Sequence, residues 1–133
     1  MRKISKIIIH CTATKEGQPF AVADVAKWHK ARGFNDIGYH YLIGLKGEVW
    51  EGRKEGVVGA HTEGQNANSI GICYVGGLDA NGKPKDTRTL AQKESLLQLV
   101  KELKKRYPQA TVHGHKEFAN KACPCFDVKE LEI

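Results

Sequence analysis

An α/β fold, one domain over residues 1–133 with a mixed central β-sheet flanked by helices, is what three features of the sequence predict. Short runs rich in β-branched and aromatic residues recur along the chain. Two longer segments between them carry apolar residues at helical spacing, and 133 residues leave room for one core. Strands interspersed with helices place the helices on the faces of a mixed sheet.

Taken in order, residues 6–11 read as a strand because Ile7-Ile8-Ile9 is continuous, short and β-branched, as in a strand covered on both faces. His10 falls at its C-terminal end. Residues 22–32 place Val22, Val25, Ala26 and then Trp28 or His29 on one helical face, and Gly33 follows as a stop. Tyr39-His40-Tyr41-Leu42-Ile43 and Glu48-Val49-Trp50-Glu51 form an expected antiparallel hairpin, with Gly47 in its turn. Residues 56–68 are a glycine- and asparagine-rich loop containing His61, and residues 69–75 are a second central strand before Gly76-Gly77 and a polar loop. The clearest helix starts at Thr89, where Thr89-x-x-Gln92 has the form of a capping box ahead of Leu96, Leu97, Val100 and Leu103; Pro108 closes it. Residues 111–113 form a last short strand, and a loop carrying His115, Lys121 and Cys123 leads to the C-terminus.

Composition narrows the function classes. Hydrophobic residues make up 41% and charged residues 27%, which fits a globular chain rather than a disordered one. The net charge of +6 favours an anionic partner. Lys101, Lys104, Lys105 and Arg106 cluster at the end of the second helix, where they complement its dipole and stay solvated. No basic stripe interleaved with aromatics is present, so nucleic acid is not an expected partner. No run approaches the ~18 apolar residues that span a bilayer, so no membrane-spanning helix is expected. Residues 1–10 begin basic, but Ile7-Ile8-Ile9 is far shorter than a signal peptide's apolar core and no cleavage site follows. Synthesis in the cytoplasm without a signal peptide is expected, and with it cysteines used for metal binding or packing rather than disulfides.

Two histidines lie just after short strands, His10 and His115, at the carboxyl ends where α/β sheets bind ligands. Cys123 follows His115 by eight residues, close enough to fold back and complete a His2Cys set with an open fourth position, the pattern of a catalytic zinc site. Six histidines and four cysteines permit other triples, so spacing alone leaves the choice open. Cys11, Cys73 and Cys125 read as packing residues; Cys123-Pro124-Cys125 lacks the two-residue spacer of a redox pair. Trp28, His29 and His40 read as core or groove-wall residues, and Glu51 and Glu117 are candidates to hold the outer nitrogens of the histidines.

The segments Ile8-Ile9-His10-Cys11-Thr12-Ala13-Thr14, Trp28-His29-Lys30, Gly38-Tyr39-His40-Tyr41, Gly59-Ala60-His61, Asn68-Ser69-Ile70-Gly71-Ile72, Val75-Gly76-Gly77, His115-Lys116-Glu117 and Lys121-Ala122-Cys123-Pro124 occur in this order along nearly the whole chain. In this the sequence resembles the type-2 N-acetylmuramoyl-L-alanine amidases, a family that includes the peptidoglycan-recognition proteins, and most of all its short phage-lysozyme (endolysin) members.

The resemblance implies a zinc-dependent hydrolase that cuts the amide between N-acetylmuramic acid and L-alanine in peptidoglycan and so degrades bacterial cell wall. It implies Zn2+ held by His10, His115 and Cys123, with His113 excluded. It also implies Tyr39 and Lys121 as catalytic residues and His61 as a wall of the substrate groove. Zinc chemistry then provides a nucleophile and a Lewis acid, Lys121 a cation beside the scissile carbonyl, and Tyr39 or the zinc-bound water the proton for the leaving nitrogen. Two other functions go with the resemblance: a muropeptide-binding sensor, a role found in relatives that lack the ligand cysteine, and an amidase that also inhibits a phage RNA polymerase. A monomer is expected, reaching the wall after lysis or by another secretion route.

Overall fold

The structure is a computed structural model that describes residues 2–34 and 36–131. Its main sheet has five strands: β1 (Lys6–Cys11), β3 (Tyr41–Ile43), β4 (Val49–Glu51), β5 (Ser69–Tyr74) and β7 (Thr111–Gly114), in the order β4-β3-β5-β1-β7. β3, β5, β1 and β7 run parallel, and β4 is antiparallel to β3 at one edge, so the sheet is mixed as expected. β1 and β5 lie at its centre. Ile7, Ile8 and Ile9 are fully buried, as is every residue of β5, which is why both strands read as unbroken apolar runs.

Side chains on a strand alternate between faces, and β1 divides accordingly. Ile7, Ile9 and Cys11 join Ile70, Ile72 and Tyr74 beneath α2 (Leu90–Arg106), packing on Leu96, Leu99, Val100 and Leu103. The opposite face carries Leu42, Cys73 and Val75 against Val25 of α1 (Val22–Ala31) and Ile37. His10 pairs in register with Cys73 and therefore emerges on the α1 face.

α2 begins as its sequence predicts. Thr89 Oγ1 accepts the Gln92 N–H at 3.1 Å, and Gln92 Oε1 accepts the Thr89 N–H at 2.9 Å. α1 ends one residue earlier than expected, with Arg32 as its cap and Gly33 at φ +93°, a conformation glycine adopts without a Cβ clash. In the hairpin Gly47 takes φ +85°.

Three differences from the sequence expectation have local causes. The strand expected from residue 39 begins at Tyr41, because Gly38 turns aside: its N–H donates to His29 Nδ1 and its carbonyl accepts from Ala60. Val75 falls outside β5, at the edge of a turn where Gly76 and Gly77 have φ +133° and +104°. A second, two-stranded parallel sheet of β2 (Thr14–Lys15) and β6 (Gly77–Leu78) was not expected; two residues per strand leave no periodicity to read. Part of the basic cluster on α2 is committed within the fold, since Lys104 Nζ donates to the Ala110 carbonyl and Arg106 pairs with Glu55. Among the described residues no helix is long and apolar enough to cross a membrane.

Candidate metal centre

The strand ends and the loops after them bring three donors together. A nitrogen of His10, a nitrogen of His115 and Sγ of Cys123 all lie within 4.8 Å of one another. Register explains which histidine of the last strand takes part. Ile9 pairs with Gly114, which sets His115 level with His10, whereas His113 pairs with Ile8 and sits two residues back, about 6–7 Å along the strand. His113 instead bonds Glu117, Nδ1 to Oε1 at 2.8 Å. That corrects the suggestion that Glu117 holds a ligand histidine. Glu51 is likewise engaged elsewhere, 3.7 Å from Lys54.

His10 is held from behind by the loop before β5. Its Nε2 lies 2.9 Å from His61 Nδ1 and 3.3 Å from Thr62 Oγ1, which leaves Nδ1 as the ring atom for a cation. His61 is itself oriented by Ser69 Oγ, 3.3 Å from its Nε2. The loop backbone is fixed by Asn66, whose Oδ1 accepts the N–H groups of His61 and Thr62 at 3.0 and 2.9 Å. Thr62 and Asn66 were not singled out from the sequence; only their place in a polar, glycine-rich loop marked them.

The electrostatics suit a cation. Burial, then the neighbouring His61, His115 and Lys121, hold His10 well below the usual imidazole pKa. Burial and Lys121 lower His115 as well. Burial brings His61 down to about 3. These rings are therefore neutral near pH 7, with lone pairs available. Cys123 Sγ accepts the Cys11 backbone N–H at 3.2 Å. A tetrahedral zinc, with bonds of roughly 2.0–2.3 Å, spaces its donors roughly 3.3–3.8 Å apart; the His2Cys cluster fits it in donor type, with its atoms all within 4.8 Å of one another.

Of the three, His115 opens onto a cleft of about 520 Å3 whose walls also include Tyr39, His61 and Lys121. The Tyr39 ring is 5.1 Å from that of His10. Its hydroxyl is pushed well above the ordinary phenol pKa by burial first and then by Cys73 and Cys123. His29 also lines the cleft; because Nδ1 accepts the Gly38 N–H at 2.7 Å, its proton sits on Nε2. His40 is fully buried, with Nδ1 accepting from Gly71 and Nε2 donating to the Val57 carbonyl, a structural role. All four cysteines are unbridged. Cys11, Cys73 and Cys125 pack against the core, and burial raises each of their pKa values, with a hydrogen bond to Cys123 the larger cause for Cys11.

Residues 1–126 match the family model described as N-acetylmuramoyl-L-alanine amidase. The chain is 46% identical to the endolysin of Escherichia phage T7 over 123 residues, 92% of this chain and 82% of that one. It is 31% identical to a peptidoglycan-recognition protein of Drosophila melanogaster over 129 residues, 93% of this chain and 70% of that one. Its fold superposes on N-acetylmuramoyl-L-alanine amidase LysC from Clostridium intestinale URNW with a TM-score of 0.84 at 28% identity, covering 98% of this chain and 84% of that one. With the family model running through nearly every element that builds the cleft, the chain belongs to the N-acetylmuramoyl-L-alanine amidases, close to the phage endolysins, and is an amidase of peptidoglycan.

Proposed function

We propose that the chain hydrolyses the amide between N-acetylmuramic acid and L-alanine with a zinc ion bound by His10, His115 and Cys123. The observation that carries this is the convergence of two neutral imidazoles and a thiol, with one of the imidazoles, His115, on the wall of the cleft. When bound, zinc supplies a Lewis acid and lowers the pKa of water to about 7.

The chain's own residues do the rest. His10 and His115 offer lone pairs because burial keeps them unprotonated, and His61 engages Nε2 of the His10 ring so that Nδ1 is left for the metal. Tyr39 stays a protonated phenol at neutral pH and can donate a hydrogen bond to the carbonyl oxygen as negative charge grows on it. Lys121 places an ammonium on the same cleft, where it favours that charge more in the transition state than in the bound substrate. His61, on the cleft wall, serves both His10 and the bound sugar–peptide junction.

The test is digestion of purified peptidoglycan by the purified protein, with and without a zinc chelator. New L-alanine amines that vanish with chelator and return with zinc support the reading. Release of reducing sugar ends, undiminished activity in chelator, or full activity in Cys123→Ser would overturn it. Binding of muropeptides without release of any product would make the chain a sensor instead.

A further inference from the structure

Arg2 stands outside the cleft, and nothing in the proposed chemistry uses it. Its guanidinium is nevertheless bound almost entirely by backbone carbonyls: Nε to Glu55 at 3.2 Å, Nη1 to Asn66 at 3.1 Å and to Ser69 at 3.0 Å. Burial lowers its pKa, as expected for a cation drawn out of water onto dipoles. Those carbonyls belong to the two ends of the loop at residues 56–68 that carries His61. One end is pinned again through the Glu55 carboxylate, which accepts from Tyr107 at 2.7 Å and also from Tyr41 and Arg106.

A continuous set of hydrogen bonds runs from this clamp to the candidate ligand. Arg2 holds the Asn66 carbonyl, Asn66 Oδ1 holds the N–H groups of His61 and Thr62, and His61 Nδ1 and Thr62 Oγ1 meet His10 Nε2. We infer that Arg2 is a positioning residue, closing the 56–68 loop so that His61 and Thr62 set the orientation of the His10 ring. The inference rests on the zinc-site reading for its consequence in metal affinity, but its effect on the loop does not depend on any metal. A planar, five-donor guanidinium suits the task because it reaches several carbonyls at once; an ammonium presents one centre.

The test compares wild type with Arg2→Ala and Arg2→Lys, and with Thr89→Ala as a destabilising control at the far end of α2. Backbone amide exchange is read in the metal-free protein. Arg2→Ala should speed exchange at His61 and Thr62 severalfold relative to β1 and β5, with Arg2→Lys intermediate and Thr89→Ala showing no such local excess. Zinc affinity, measured by competition with a chromophoric chelator, should fall by about 3–10-fold in Arg2→Ala, less than the roughly 10–100-fold typical of losing a ligand's direct partner. On peptidoglycan kcat should fall at this reduced metal affinity in limiting zinc while KM stays within about twofold, and excess zinc should restore much of the rate. Unchanged loop exchange in both Arg2 variants would overturn the inference, as would Thr89→Ala matching them in loop exchange and zinc affinity. Faster loop exchange in a protein whose wild type binds no zinc would leave the clamp standing and sink the metal reading.

Discussion

Replacing His61 by Ala probes the link between the loop and the metal site directly. In the folded chain His61 is neutral, with its pKa lowered to about 3, and its Nδ1 lies 2.9 Å from His10 Nε2; with a cation on His10 Nδ1 the ring proton sits on Nε2, and His61 accepts it. Alanine removes that acceptor and leaves only Thr62 Oγ1, at 3.3 Å, to hold the ring. Losing such a partner costs about 10–100-fold in metal affinity, or about 1.4–2.7 kcal/mol. A buried N–H left short of a partner adds about 1–3 kcal/mol of lost stability. Chelator competition measures the first quantity and urea unfolding of the metal-free protein the second. His61→Asn, whose side-chain oxygen can accept from His10, should recover part of the affinity. If His61→Ala bound zinc as tightly as wild type, the orienting role would be wrong. A rise in KM alone would assign His61 to substrate contact only.

The neighbouring glycine should behave in parallel: a Cβ at Gly71 would sit 2.6 Å from His61 Cδ2, so Gly71→Ala should displace the ring and lower zinc affinity by about tenfold, measured by the same competition. Acid should destabilise the metal-free protein, because His29, His40 and His61 are all held below the unfolded value of 6.5, chiefly by burial. The unfolded chain binds more protons in that range, so stability is full above pH 6.5 and falls as pH drops towards the folded values, by up to about 1.4 kcal/mol per pH unit for each histidine; a flat urea midpoint between pH 7 and 5 would contradict this. Thr89→Ala loses both the cap on Gln92 and a 2.8 Å bond to the Leu45 carbonyl, and should cost about 1–2 kcal/mol in thermal unfolding without changing zinc affinity.

Much of this molecule was legible before its structure. The Ile7-Ile8-Ile9 run and residues 69–75 announced the two central strands because both faces of each are covered, so no polar residue interrupts them. Thr89 and Gln92 announced a helix start because capping is satisfied within four residues. The amidase family was readable from ordered motifs, and the two histidines and the cysteine that those motifs marked do converge. Where the reading went astray, the deciding contacts were distant in sequence. Glu117 faces His113 rather than His115, and the strand expected from Tyr39 yields to a bond between Gly38 and His29.

What the sequence determined by itself was thus the fold class, the helix and strand periods and the membership of the family, since each is written in local spacing and residue type. What only the tertiary structure decided was the company each side chain keeps. His61 stands behind His10 across 51 residues, and Arg2 grips carbonyls 53 to 67 residues away. Such pairings depend on parallel register and loop closure, which bring together groups that no local pattern connects.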